Sequence, residues 1–417
     1  MLATRAHRAA PIAAPLPPLQ PADRAEAFVI DLGSALLRQG IPAHRVEDTL
    51  GLVSRLLGLE GQFFCVPTGI IVSFGRPGAQ HGGIVRVQPG GIDLTRMVRL
   101  DALVTAVVQG QLPPERAARG LAAILAAPPR YRSRALILAE ALAAASAAPF
   151  FGGGLREGLV AAVIGASMAA LGIALDRRRA SHLFAPIGAT LAAALASLAP
   201  LLVGPLRVDV VTVSGLLVLL PGLKLTTAVA EVATRNLVSG TARLTVALLT
   251  LLELGFGVAL GSQAGALVPA ADLAPLTPSL PVEAAALLAS GLAFVVIFQA
   301  RLRDAHLVVA GVVVAYAGAR VGAALMGPEL GAFLGALLVG LASSAVARLA
   351  DRPAQVALVP GVLMLVPGSL GFASVRGMLR AETVQAVDAA FHTGMIAIAI
   401  VVGLLAAPAL LSPRRAL

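Results

Sequence analysis

Two hydrophobic regimes divide the chain. Between residues 28 and 127 apolar positions recur at amphipathic spacings, and from residue 135 onward they run in long stretches. Helical spacing predicts helices over 28–40 and 43–59, interrupted at Gly40–Pro42 and at Gly58. Short β-type runs at 63–74 and 84–87, separated by Gly75, Pro77 and Gly78, predict a hairpin. Helical spacing returns over 93–109 and 113–127, where Pro113-Pro114-Glu115 suits a helix start. These elements predict a small soluble α+β domain over 24–134. Ahead of it, residues 1–23, with Pro11, Pro15, Pro17, Pro18 and Pro21, read as a disordered tail.

The later stretches divide into ten: 135–151, 155–175, 181–203, 208–238, 241–267, then, after a Pro-rich loop, 282–300, 305–326, 330–350, 354–379 and 384–411. Most have about the 20 residues that carry a helix across ~30 Å of hydrocarbon. Composition agrees, with 58% hydrophobic and 13% charged residues and a mean hydropathy of +0.87. Soluble domains carry about 45–50% apolar and about 25% charged residues, so too little polar surface exists to cover a water-soluble core of this size.

Charge then orients the spans. The net charge of +10 does not mark a nucleic-acid partner, because the arginines cluster at span edges. Arg130, Arg132, Arg134, Arg177, Arg178, Arg179, Arg243, Arg301, Arg303, Arg348, Arg352, Arg414 and Arg415 all fall on one side if ten crossings are made. The positive-inside bias therefore predicts cytoplasmic N- and C-termini. Cys65 is the sole cysteine, which excludes an internal disulfide or thiolate cluster. No nucleophile elbow, phosphate loop or zinc-protease helix is present, and no residues suggest a catalytic centre, a metal or a cofactor.

A shift of 146 residues carries each of the first five spans onto one of the second five, and Leu219-Leu220-Pro221-Gly222 onto Leu365-Val366-Pro367-Gly368. Five is odd, so a tandem duplicate enters the membrane from the opposite side. The expected fold is thus membrane α-helical: ten transmembrane helices as two five-helix inverted repeats over 135–267 and 282–411, with broken fourth and ninth helices. Inverted repeats are common in secondary transporters.

Proline lacks an N–H, so Pro221-Gly222 and Pro367-Gly368 are expected to start new half-helices. Their free N–H groups would meet near the midplane and suit a carboxylate, although a packing kink without ligand is the alternative reading. Lys224, Thr226, Thr227, Glu231 and Arg235 follow, and Ser369 follows the second break. All these residues are candidate substrate contacts. Span 208–238 is too long for one straight crossing, so Glu231 and Arg235 could equally form a surface pair. Candidate proton-coupling groups are Glu231, the pair Asp388 and His392 at helical spacing, Glu140 and Glu253. Asp388 and His392 either face inward or pair near the membrane edge.

Several stretches resemble the threonine/serine exporter family of bacterial inner-membrane proteins. They are 40–58 (GIPAHRVEDTLGLVSRLLG), 66–73 (VPTGIIVS), 92–110, Pro128-Pro129-Arg130-Tyr131, Phe151-Gly152-Gly153-Gly154, 219–225 (LLPGLKL), 239–244 (SGTARL) and 359–368 (VPGVLMLVPG). The resemblance implies a soluble domain ahead of ten spans and export of small amino acids driven by the proton motive force. It also implies an inner-membrane location. The family includes exporters split into two chains, some resembling succinate carriers, so a dicarboxylate is the alternative substrate. Family members often have Asn and Asp shortly after the first Pro-Gly, whereas here Thr226, Thr227 and Glu231 stand there. A reading of another class is a membrane solute sensor. The expected partners are a small amino acid or dicarboxylate, protons, the lipid bilayer and further copies of the chain.

Overall fold

Helix α1 (Pro21–Arg38) begins seven residues earlier than the apolar spacing predicts and buries Phe28, Leu32 and Leu36 along one face. The computed structural model describes residues 21–268, 273–350, 352–366, 368–379 and 381–411. The tail expected over 1–23 falls largely outside the described residues, and its last residues belong to α1. Helix α2 (Ala43–Leu56) buries Val46, Leu50 and Val53 at the 3–4 spacing of an amphipathic helix.

Where one run was predicted over 63–74 there are two strands, β1 (Gly61–Val66) and β2 (Gly69–Phe74), because Pro67-Thr68 turns the chain. With β3 (His81–Arg86) they form an antiparallel sheet of order β1-β2-β3, with Phe63 opposite Val72 and Ile71 opposite Ile84. Helix α3 (Leu94–Val108) is capped by Asp93, whose carboxylate accepts from Arg96 N at 2.9 Å. Helix α4 (Pro114–Ala126) completes the unit. Its core does not stop there. The same buried cluster continues into Phe294, Phe298, Val308, Val312 and Val356, so the N-terminal unit packs on the later helices.

Those helices are α5 (Ser133–Ala147), α6 (Leu155–Arg177), α7 (Phe184–Leu198), the short α8 (Pro200–Val203), α9 (Val208–Gly215), α10 (Gly222–Ala233) and α11 (Leu237–Ser262). After the loop come α12 (Leu280–Ile297), α13 (Ala305–Met326), α14 (Pro328–Leu349), α15 (Gln355–Leu365), α16 (Gly368–Leu379) and α17 (Thr383–Leu410). Among the described residues, nine helical segments are long and apolar enough to cross a membrane. The predicted fourth span is the remaining stretch, realised as the half-helices α9 and α10. On α11, Leu248, Leu252, Phe256 and Leu260 form an exposed apolar stripe, as a lipid-facing surface requires.

The two sets of helices pack alike. Contacts α5–α6, α6–α7, α7–α11, α6–α9 and α10–α11 have counterparts in α12–α13, α13–α14, α14–α17, α13–α15 and α16–α17. Local details match too. Arg235 and Ala381, both just after a half-helix, have positive φ of 64° and 61°. Asn236 N donates to Glu231 O at 2.8 Å, and Glu382 N donates to Gly377 O at 2.9 Å. Gly261 faces Ala193 in the first set, and Gly340 faces Ala407 in the second, so the glycine changes helix while the close approach is kept.

A matched pair of buried carboxylates ties each set. Glu157 accepts from Gly154 N at 2.8 Å and Arg207 N at 3.1 Å. Asp304 accepts from Arg301 Nε at 2.7 Å and Arg352 Nε at 2.9 Å. Each acid joins the start of the second helix to the loop before the half-helix pair. A buried carboxylate is tolerated when donors replace its lost water in this way.

Candidate functional site

The first chain break follows from backbone chemistry. Leu219 N and Leu220 N both turn back to Leu216 O, at 2.8 and 3.2 Å, and end α9 tightly. Pro221 has no N–H to continue it. The next helical bond runs from Leu225 N to Pro221 O at 2.9 Å, so the N–H groups at the start of α10 have no acceptor within the helix. The second break lies at Val366, which is extended with ψ 132°. Pro367 lies outside the described residues, and α16 starts at Gly368.

The two breaks touch each other. A β-carbon on Gly222 would stand 2.0 Å from Val366 Cγ1, and one on Gly368 would stand 3.4 Å from Gly222 Cα. Only glycine at position 222 lets the chains come this close. Beside the contact is a cavity of about 170 Å³. Leu217, Leu220 and Gly222 of the first break line it, with Val366, Gly368 and Ser369 of the second. Phe150, Phe151 and Phe294 supply apolar wall, and Ser290 and Tyr316 supply polar groups. Ser290 Oγ lies 2.8 Å from Ser146 Oγ on α5, which links the first helices of the two sets. The Tyr316 hydroxyl donates to Glu283, a carboxylate that is 5% exposed and that also takes Arg320 as an ion-pair partner.

Sequence reasoning singled out Gly222, Gly368 and Ser369, which line this cavity. It missed Ser290, Tyr316 and Glu283. Two signals were available: Glu283 is an acid opening an otherwise apolar span, and Tyr316 is one of only two tyrosines.

Other candidates stand elsewhere. Lys224 on α10 and Glu253 on α11 interact electrostatically. Thr226 is buried, and Thr227 Oγ1 donates to Leu223 O at 2.8 Å. Glu140 is half-buried on α5, its carbonyl against Gly165 of α6. His392 Nδ1 is 2.6 Å from Glu329 of α14, and its Nε2 is 3.7 Å from Asp388. Asp388 is mostly exposed, and neither it nor His392 lines the cavity.

Glu231 is engaged at the other end of α10. It is fully buried and accepts from Ala43 N at 2.9 Å, Ser239 Oγ at 2.7 Å and Arg243 Nε at 3.0 Å. Its ionic partner is therefore Arg243, where the sequence suggested Arg235, which is exposed in the turn after α10. Ala43 begins α2, so this carboxylate fastens the N-terminal unit to the α10–α11 corner. The matched position of the second set is Gly377, which carries no acid and meets no such unit.

The start of α2 is tuned by burial. Burial, with help from Arg45, lowers the His44 pKa, against the opposing pull of Glu231 and Asp48. Burial raises the Glu47 pKa although its carboxylate accepts from Cys65 N at 2.6 Å. Burial also pushes the Cys65 thiol up to about 12. Further ties bind the unit to the loop after α12: Leu94 N to Phe298 O at 2.9 Å, Thr95 Oγ1 to Gln299 O at 2.5 Å, and Tyr131 N to Gln299 Oε1 at 2.8 Å.

Two interrupted helices that meet beside a cavity, within a set of long apolar helices, define a multi-pass membrane protein. The family follows from comparison with known proteins. A threonine/serine exporter profile matches residues 27–264, and a second profile, described as "Threonine/Serine exporter, ThrE", matches 284–410. The chain belongs to the threonine/serine exporter family. It is also similar to "Pheromone-regulated membrane protein 10" of Debaryomyces hansenii, 26% identical over 82% of this chain and 36% of the relative. The same-named protein of Eremothecium gossypii is 27% identical over 82% of this chain and 48% of its own length. "Uncharacterized protein C7D4.12c" of Schizosaccharomyces pombe is 28% identical over 56% and 32%. The chain thus spans less than half the length of these curated relatives. No solved structure matches it.

Proposed function

We infer that the protein is a secondary exporter of small amino acids, threonine or serine, driven by the proton motive force through alternating access. The observation that carries this reading is the meeting of two half-helix starts at Gly222 and Gly368 beside a cavity with both apolar and hydroxyl-bearing walls. Helix starts carry partial positive charge and free N–H groups, which suit a substrate carboxylate. Ser290, Ser369 and Tyr316 suit the hydroxyl and ammonium of a small polar amino acid. Family membership supports export. The matched packing of the two helix sets supports an inverted repeat whose halves rock about the cavity. In this reading the N-terminal unit sits on the cytoplasmic face, where the arginine-rich loops gather.

The test is flux through liposomes holding the purified full chain, with labelled serine, threonine and succinate, with and without an imposed pH gradient. Gradient-driven serine or threonine flux is expected. Succinate flux alone would replace the substrate and keep the site. Flux of none of the three would remove the transport reading.

A further inference from the structure

A buried charged group lies within a single hydroxyl of the cavity wall, and the exporter reading gives that group no task. Glu283 stands in the first turn of α12 and is 5% exposed. Tyr316 and Arg320, one turn apart on α13, both bond to it, and Arg320 Nη1 also lies 3.3 Å from the Tyr316 hydroxyl. The Tyr316 ring packs on Phe150, centroids 5.3 Å apart, and both rings line the cavity. Arg320 faces outward, with 60% of its side chain exposed. The three groups thus form a path from the surface, through a buried carboxylate, to the cavity wall.

We propose that Glu283 is the proton-coupling carboxylate of this transporter, with Arg320 its built-in counter-ion and Tyr316 its link to the substrate cavity. The proposal rests on the exporter reading and supplies its driving group. In the state described, Glu283 is paired with Arg320, and this carboxylate takes up the proton. A hydronium ion reaching Arg320 gives up one O–H bond as one O–H bond forms on the Glu283 carboxylate, and a water molecule is left. No bond in the protein breaks. Arg320 stays charged, so the local charge rises from zero to one positive. Arg320 loses its ionic partner, and the Tyr316 hydroxyl loses its charged acceptor. The hydroxyl then turns to the cavity, where it meets the substrate. Protonation on one side of the membrane is in this way read at the binding site.

Position favours entry from the side opposite the N-terminal unit. Tyr131 bonds Gln299 just beyond the end of α12, and Ser146 meets Ser290 further along, so α5 and α12 run antiparallel. Glu283 lies beyond the Ser146 contact, at the far end from the N-terminal unit. The charged groups facing it can be named. Helix α13 supplies Tyr316 and Arg320, and the turn Ala148–Phe151 has no titratable side chain. Helix α5 carries Glu140, which lies between the two ties and so nearer the N-terminal unit, and Arg134 at its start. Among the described residues, Glu283 has a single arginine partner and a tyrosine donor, whereas Glu231 is held by three donors away from the cavity.

The test uses the full chain in liposomes, with labelled serine and threonine as probes. Wild-type protein is compared with Glu283→Gln for gradient-driven accumulation and for exchange between equal pools without a gradient. Glu283→Gln is expected to lose the response to the pH gradient and to keep exchange. Retained gradient response in Glu283→Gln would overturn the proposal while leaving the exporter reading intact. Wild-type protein without flux would instead sink the exporter reading. If Glu283→Gln does not fold, Arg320→Gln decides. Without its counter-ion Glu283 holds a proton more tightly, so the pH profile of exchange should move to higher pH. An unmoved profile would overturn the proposal.

Discussion

Replacing Glu231 should unfasten the N-terminal unit before it touches transport chemistry. The carboxylate is fully buried and satisfies three donors, from Ala43, Ser239 and Arg243. Removing one partner of a buried ion pair costs about 3–5 kcal/mol, because the other charge is left behind. Arg243 retains 14% side-chain exposure, so water recovers part of its solvation and the lower end applies. The orphaned Ala43 N–H adds about 1–3 kcal/mol. Glu231→Ala should therefore cost the folded chain at least about 3 kcal/mol, of which the lost Ala43 bond, about 1–3 kcal/mol, is the part that holds the N-terminal unit. Glu231→Gln also leaves Arg243 without its ionic partner but keeps an acceptor for Ala43 N, so it should lose less than Glu231→Ala by about 1–3 kcal/mol. The assay is built into the chain. Cys65 is the sole cysteine and is buried in the N-terminal unit, so a thiol-reactive dye reports when that unit opens. On heating in detergent, Glu231→Ala should become dye-reactive well below the wild-type temperature, with Glu231→Gln between them. Wild-type dye kinetics together with lost flux would refute the argument and return Glu231 to the substrate or proton path.

Two other outcomes follow from the geometry. Gly222→Ala places a methyl 2.0 Å from Val366 Cγ1, an overpacking that costs about 1–3 kcal/mol. Adding Val366→Ala should recover much of that loss and of the flux, and strictly additive losses would show that the breaks do not touch. Burial holds the Cys65 thiol up at about 12 against an ordinary 9.0. The folded state therefore keeps the thiol proton, and this contribution is present below pH 9 and lost as pH rises towards 12. Maleimide at pH 8 should label the native protein slowly and the denaturant-unfolded protein fast, and equal rates would contradict the burial.

Local chemistry is what the sequence could determine. Pro221-Gly222 ends a helix wherever it is placed, because the missing N–H is a property of the residue itself. Long apolar runs must be helices that face lipid, since no water is there to satisfy an open backbone. The 146-residue spacing and the shared Pro-Gly motif were also legible. Contacts between distant residues were not legible. Glu283 meets Tyr316 and Arg320, Glu157 meets Arg207, Asp304 meets Arg352, and Glu231 meets Ala43 across 188 residues. In each case the carboxylate's role depends on which helix packs beside it, and 3–4 residue spacing along one helix carries no such information. Spacing put Glu231 on a face with Lys224 and Arg235, but α10 ends at Ala233, so Arg235 lies in the following turn. Tertiary packing decided the rest. A buried charge goes where donors converge, and in this fold they converge for Glu231 at the corner beneath α2 and for Glu283 beside the cavity.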